Sequence, residues 1–209
     1  MYRVIEATFV CSAKTAAHIP QPAAPEVAFI GRSNSGKSSL LNALCAYRSL
    51  ARTGRTPGRT QALNFFQIRL AHDGRQARYE TMFVDLPGYG YAKVAKTESR
   101  AWSDLIQPYL QQRDNLKAAV LLMDCRRAPE KEELWFLEQN YRWKLFVALT
   151  KSDKISRNEL KKRADSVRRE LSLGQDALYC TSTLRGGKLG IDGLLQALGA
   201  QLFRASGKL

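Results

Sequence analysis

The sequence predicts an α/β fold, with a mostly parallel six-stranded sheet, one antiparallel edge strand and helices on both faces. Three observations predict it. Short apolar runs alternate with stretches whose apolar residues recur at helical spacing, the order of strand, crossover helix and strand. One pair of runs is joined instead by His72-Asp73-Gly74-Arg75, whose Asp-Gly step signals a tight hairpin and so an antiparallel pair. The first run enters Gly31 and a glycine-containing loop that leads straight into a helical pattern.

In chain order, residues 26–30 read as a strand and 38–47 as a helix with Leu40, Leu41 and Leu44 apolar. Residues 48–60 hold Arg48, Arg52, Arg55 and Arg59 among glycines and a proline with no apolar period, and read as a mobile basic loop. The hairpin strands are 63–70 and 79–84. A glycine-rich stretch at 86–92 precedes a helix near 98–113, the buried strand 118–124, a helix near 130–140 and the strand 145–149. Ser156 with Glu159 forms a capping box, and Leu160, Ala164, Val167 and Leu171 share one stripe of the helix it opens, whose other face is strongly basic. Residues 177–181 read as the last strand, and Leu194, Leu195, Leu198 and Leu202 mark a closing amphipathic helix. A single domain is expected over 25–209, with 1–24 as an extension packing on it. Trp102, Trp135 and Trp143 are expected between helices and sheet.

With 209 residues, 44% of them hydrophobic, the chain can bury one full core. Its longest apolar runs, 118–123 and 145–149, fall far short of the roughly 20 residues that span a bilayer. Glu6 and Thr8 interrupt the N-terminal segment, so it does not read as a signal peptide, and a cytoplasmic monomer is expected. Cys11, Cys45, Cys125 and Cys180 are scattered without Cys-x-x-Cys spacing, which argues against a zinc site or a disulfide framework. His18 and His72 are too few for a metal or base-catalysis role. Charge points to a partner: 33 Lys and Arg against 19 Asp and Glu leave +14. Such an excess suits a protein that meets a polyanion such as RNA, although it also aids solubility.

Gly31-Arg32-Ser33-Asn34-Ser35-Gly36-Lys37-Ser38 fits G-x-x-x-x-G-K-[ST] between a strand and a helix, the context that makes this phosphate-binding loop meaningful. Backbone N–H groups and the helix N-terminus favour phosphate there, Lys37 reaches the β and γ phosphates, and Ser38 offers a hydroxyl to Mg²⁺. Asp85-Leu86-Pro87-Gly88 follows the strand ending at Val84, placing a carboxylate for the magnesium at a strand C-terminus and a side-chain-free Gly88 near the γ phosphate. Thr150-Lys151-Ser152-Asp153 follows the strand 145–149. Asp153 can accept the adjacent N1-H and N2 amine donors of guanine, whereas adenine presents an acceptor at N1, and the Lys151 stem can lie over the base.

The chain resembles the TrmE-Era-EngA-EngB group of GTPases, most closely the EngB (YihA or YsxC) type, through GRSNSGKSSLLNAL at 31–44, TPGRTQALNFF at 56–66, DLPGYGYA at 85–92 and TKSD at 150–153. The resemblance implies a P-loop NTPase fold, a GTP/GDP switch with Mg²⁺, and association with the large ribosomal subunit and its rRNA, with a link to septation. It makes Thr60 the switch I threonine, joining Ser38 and Asp85 at the metal, with Gly58, Arg59, Gln61 and Ala62 closing over the nucleotide. Lys37, Thr60 and Gly88 become the candidate catalytic residues. Cys180, Thr181 and Ser182 match the last guanine loop. Asn34 stands where some relatives bind a potassium ion beside the phosphates, so K⁺ is a second candidate cofactor; a plain polar loop residue is the alternative.

Two departures stand out. Thr150 replaces the asparagine usual in N-K-x-D, so the loop brace must be weaker or differently made, and Tyr89 replaces the water-orienting glutamine of many signalling GTPases, so intrinsic hydrolysis is expected to be slow or to depend on something outside these motifs. Arg157, Lys161 and Arg168 on one helical flank, with Lys162 and Arg169 on the next, are a second candidate phosphate-binding surface or a solvated face. Tyr89 and Tyr91 either stack on RNA or pack within the switch. A P-loop kinase lacks support in any acceptor-binding insertion, while a passive RNA-binding module with structural nucleotide stays open.

Overall fold

Strand β2 (Glu26–Gly31) lies between parallel partners on both sides, β4 (Arg78–Asp85) and β5 (Leu116–Asp124), in a computed structural model that describes residues 1–47, 49–51, 62–74, 76–89, 102–139, 141–184 and 190–203. Strands β6 (Lys144–Thr150) and β7 (Leu178–Cys180) continue the parallel set beyond β5. On the other side β3 (Leu63–His72) pairs antiparallel with β4, and β1 (Tyr2–Ala13) antiparallel with β3. The order is β1-β3-β4-β2-β5-β6-β7.

Helices α1 (Lys37–Leu44) and α5 (Ile191–Phe203) cover one face. A π-helical turn (Trp102–Ile106) running into α2 (Gln107–Gln112), with α3 (Lys131–Glu138) and α4 (Arg157–Glu170), covers the other. Strand β5 shows why the central strands read as continuous apolar runs: Ala118, Val120 and Leu122 pack under α1 and α5, while Ala119, Leu121 and Met123 pack towards α2, α3 and α4. The capping box at Ser156 and Glu159 is formed, and Ala164, Val167 and Leu171 are buried. Trp143 is buried, donating its indole N–H to the Leu110 carbonyl at 2.7 Å.

The sheet has seven strands where six were expected, and β3 stands one place in from the edge. The added strand lies within the segment read as an extension. Its register with β3 shifts between Val4 and Glu6 and between Phe9 and Cys11, so the period-two alternation that marks a strand in sequence is broken. Only Tyr2, Ala7 and Ala13 of β1 are buried, and Phe9 and Val10 stay exposed. Backbone pairing to β3 and Tyr2 hold it: the Tyr2 N–H donates to Gln196 Oε1 at 2.6 Å, and Gln196 Nε2 donates to the Tyr2 carbonyl at 2.7 Å.

At the opposite end of the sheet from the motif loops, Glu26 is 1% exposed. Arg113 approaches it with Nη2 at 2.6 Å and Nε at 3.0 Å from Oε1, and the Tyr109 hydroxyl donates to Oε2 at 2.9 Å. Arg113 also donates to the Pro20 carbonyl at 2.8 Å, fastening the segment before β2 to the end of α2. Among the described residues no helix is long and apolar enough to cross a membrane.

Candidate active site

Parallel strands β2, β4, β5 and β6 deliver their C-terminal ends to one edge of the sheet, where ligands bind in open α/β folds. From Gly31 the chain turns through Arg32 to Gly36 into α1, with Asn34 at φ 63° and Gly36 at φ 98°. Left-handed residues set beside right-handed ones make the concave N–H nest that accepts anions. Lys37 is buried and reaches back across the loop, donating to the carbonyls of Gly31 at 2.9 Å and Arg32 at 3.2 Å. Burial lowers its pKa, opposed by the charge of Asp85. A phosphate entering the loop offers this ammonium a charged acceptor in place of two carbonyls.

Ser38 donates to Asp85 Oδ2 at 3.1 Å. Asp85, the last residue of β4, is 4% exposed, and its Oδ1 has no hydrogen-bond partner among the described residues. Desolvation raises its pKa to about 6, against the lowering influence of Lys37 and of the Ser38 hydroxyl. A buried carboxylate with one oxygen unpartnered and a hydroxyl beside it is a hard oxygen donor set, and it fits Mg²⁺, which takes few protein ligands and completes its shell with phosphate and water. Leu86 and Pro87 are buried after it. Gly88 lies so close to the loop that a Cβ there would come within 2.8 Å of the Ser33 backbone and 3.1 Å of Lys37 Nζ.

Tyr89 is packed inside the protein. Its hydroxyl donates to the buried Glu133 at 2.9 Å, its ring meets Phe136, and its carbonyl accepts the Ser33 N–H at 3.0 Å. This decides between the two readings of Tyr89, because the ring has no face open to a base. Arg32 forms an ion pair with Glu130 at the start of α3.

At the base end, Asp153 Oδ1 accepts the Ser182 hydroxyl at 2.7 Å, and Lys154 lies 3.5 Å from Oδ2. Desolvation works to raise the Asp153 pKa but is outweighed by the Ser182, backbone and Lys154 interactions, so the carboxyl is held below its ordinary value. The Ser152 N–H donates to the Thr181 carbonyl at 3.2 Å, which joins the Thr150-to-Asp153 loop to Cys180-Thr181-Ser182. Thr150 is buried, and its hydroxyl lies 2.7 Å from the Ser35 carbonyl and 3.1 Å from that of Met123. The brace lost with asparagine is therefore made by a hydroxyl. Lys151, at φ 58°, donates to the Asn34 carbonyl at 2.8 Å.

The predicted residues thus fall into two groups on one edge: Gly31 to Ser38 with Asp85 to Gly88, and Thr150 to Asp153 with Cys180 to Ser182. Ala62 is buried at the start of β3. Gly58, Arg59, Thr60 and Gln61, with Arg48, Arg52, Arg55 and Tyr91, lie outside the described residues. One residue went unread. Asp124 ends β5 beside Thr150 in register, and its Oδ2 accepts Lys151 Nζ at 3.0 Å. The signal was available, since a carboxylate at the C-terminal end of a buried parallel strand is what singled out Asp85.

Residues 26–151 match the model of the 50S ribosome-binding GTPase family. A probable GTP-binding protein EngB of Geobacter metallireducens is 43% identical over 184 residues, covering 87% of this chain and 86% of the relative. The chain belongs to the EngB family of GTPases. Its EngB relative in Exiguobacterium sibiricum is 40% identical over 199 residues, which cover 94% of this chain and 97% of that one. Two solved structures share the fold at 18% identity. The crystal structure of a probable GTP-binding protein engB has a TM-score of 0.60, with 85% of this chain and 98% of that one covered. Era in complex with MgGDPNP and a segment of 16S ribosomal RNA has a TM-score of 0.66, with 86% and 57% covered.

Proposed function

We propose that this protein is a cytoplasmic, monomeric GTP-operated switch that docks on the assembling large ribosomal subunit, so that its link to septation is indirect. The observation that carries the switch reading is the joint between the two ends of the site: Thr150 and Lys151 of the base loop each bond to a carbonyl of the phosphate loop, at Ser35 and Asn34. Nucleotide bridging those loops is held at both ends by parts that already form one unit.

In this reading Asp153 accepts the guanine donors, with Ser182 fixing its first oxygen, and the Thr181 and Ser182 segment closes the other side of the base. Lys37 leaves its two carbonyls for the β and γ phosphates, where a fixed positive charge stabilises the transition state. Ser38 and Asp85, with Thr60, would hold a magnesium ion, which would offset the charge on the phosphate oxygens. Gly88 would bring its N–H to the γ phosphate, and Gly58 to Ala62 would close over the nucleotide. Tyr89 in place of a glutamine after Gly88 removes the water-orienting side chain used by many signalling GTPases, which supports a slow intrinsic rate.

The ribosome reading is supported by the +14 charge and by the outer face of α4, where Arg157, Lys161, Lys162 and Arg169 are exposed. That face suits a ribose-phosphate backbone, which binds through counterion release. The test is sedimentation with ribosomal subunits under GDP and under a non-hydrolysable GTP analogue across a salt series. Co-sedimentation that depends on the nucleotide and weakens steeply with salt is expected, with a shallower slope when Lys161, Lys162 and Arg168 are neutralised. Association equal under both nucleotides would favour a passive RNA-binding module.

A further inference from the structure

The joint between phosphate loop and base loop has a third member that lies in none of the motifs. Asp124 closes β5 with its side chain 9% exposed and accepts four hydrogen bonds. Lys151 Nζ donates to Oδ2 at 3.0 Å, the Arg126 side chain donates to Oδ1 at 2.9 Å and to Oδ2 at 2.6 Å, and the Arg126 backbone N–H donates to Oδ1 at 3.1 Å. Lys151 spends its other contact on the Asn34 carbonyl. Its ammonium is therefore held between an anion on β5 and a backbone dipole of the phosphate loop, on a residue whose own backbone is left-handed.

We propose that Asp124 is a positioning residue for nucleotide binding, holding Lys151 against Asn34 so that the phosphate loop and the base loop keep one fixed separation. The inference rests on the guanine-site reading given above. A lysine has a long flexible stem, and a stem meant to lie over a base is of use only if its end is pinned. Two pins aim it. The carbonyl of Asn34 alone is a neutral acceptor, whereas a carboxylate makes the stronger, charge-assisted bond. The carboxylate is itself aimed by the Arg126 backbone N–H, which belongs to the chain just past β5 and does not depend on the Arg126 side chain. Hydrogen bonding from Arg126, against the desolvation of partial burial and with help from Lys151, holds the Asp124 carboxyl far below the usual carboxylate range, so it is charged at every pH at which the protein works. Among the described residues the side-chain hydrogen bonds of Asp124 run to Lys151 and Arg126. Its effect on nucleotide passes through Lys151 and is expected to be the same for GDP and GTP, because Lys151 belongs to the base loop.

The test measures GDP and GTP affinity with fluorescent nucleotide analogues, together with thermal unfolding of the nucleotide-free protein, for Asp124→Asn, Asp124→Glu and Arg126→Gln. Asp124→Asn is expected to raise both dissociation constants by the same factor, about tenfold, chiefly through faster release, since a charge-assisted bond is exchanged for a neutral one. Asp124→Glu keeps the charge and should recover a substantial part of that loss. Arg126→Gln is the control for stability: it removes the guanidinium fork from Asp124 while leaving the Lys151 bond and the backbone N–H, so the melting temperature falls and the affinities stay within about twofold. Unchanged affinity in Asp124→Asn would overturn the proposal. So would an equal loss of affinity in Arg126→Gln, which would mark the cluster as general scaffolding. Asp153→Asn, measured alongside, reads the base site by itself. Intact GDP affinity in that variant would remove the guanine-site reading, whereas its loss together with an unaffected Asp124→Asn would remove only the present one.

Discussion

The Thr150 hydroxyl sits 2.7 Å from the Ser35 carbonyl, bridging residues 115 positions apart in sequence and joining the base loop to the phosphate loop. A hydroxyl has a single proton, so the Ser35 and Met123 carbonyls share it. Thr150→Val keeps the shape and deletes the donor. It should cost roughly 1 to 3 kcal/mol of stability, because a buried carbonyl is left unsatisfied, and it should speed nucleotide release. Thr150→Ser should preserve most of both. Urea denaturation and dissociation of a fluorescent GDP analogue measure the two effects, and wild-type release rates in the valine variant would mean that the brace does not reach the nucleotide.

In the proposed guanine site, base preference would rest on one oxygen. Ser182 occupies Asp153 Oδ1, while Oδ2, 3.5 Å from Lys154, is the oxygen placed to take a donor from a base. Asp153→Asn replaces one carboxylate acceptor with an amide NH2 donor, so it should weaken GTP and improve xanthosine triphosphate, whose carbonyl stands where guanine has its N2 amine. Competition binding with the two triphosphates reads the ratio. An unshifted ratio would take Asp153 out of base recognition.

These two sites were legible in sequence for the same reason: each motif follows an apolar run, and the run fixes where its end emerges. Asp85 after Val84 and Thr150 after Leu149 needed no more than that. What escaped was non-local or irregular. The pairing of β1 depends on β3 and on Gln196, and its bulges erase the alternation that would have announced it. Asp124 follows the rule that exposed Asp85, but no short motif surrounds it, and its meaning appears only when β5 and β6 stand in register. The hydroxyl brace at Thr150 was likewise hidden, because the sequence carries the substitution but not the carbonyl that answers it.

Gly199 lies inside α5, where alanine would ordinarily stabilise by about 1 kcal/mol. Here a Cβ would stand 2.4 Å from the Tyr2 ring. Gly199→Ala should therefore destabilise, forcing the ring and with it the start of β1 away from α5. Adding Tyr2→Ala should relieve the clash, so that in that background the alanine at 199 becomes neutral or favourable. Thermal unfolding of the four proteins of this cycle gives the coupling, and additive effects would mean the ring moves aside freely.

Removing the Arg113 side chain should be among the costliest changes far from the site. Glu26 is almost fully buried and its charge is answered by Arg113, with Tyr109 contributing a neutral donor. Arg113→Met strands that carboxylate and also leaves the Pro20 carbonyl without its guanidinium partner, so a loss of about 3 to 5 kcal/mol is expected. The double variant Glu26→Gln, Arg113→Met should recover part of it. Chemical denaturation decides, and a loss under 1 kcal/mol would mean that water reaches Glu26.

Asn34 is held in a left-handed conformation, its carbonyl is taken by Lys151, and its exposed side-chain amide makes no hydrogen bond among the described residues. An amide oxygen left over at the rim of a phosphate loop is a suitable ligand for a monovalent cation. Such an ion would stand between the phosphates, where an arginine finger places its charge in other GTPases, and would offset charge developing in the transition state. If Asn34 holds potassium, GTP turnover at constant ionic strength should be faster in K⁺ than in Na⁺, and Asn34→Ala should abolish the difference while leaving GDP affinity near the wild-type value, because the ion matters most when the γ phosphate is leaving. Equal rates in the two salts would reduce Asn34 to a polar loop residue. Stimulation that survives Asn34→Ala would place the ion on other ligands.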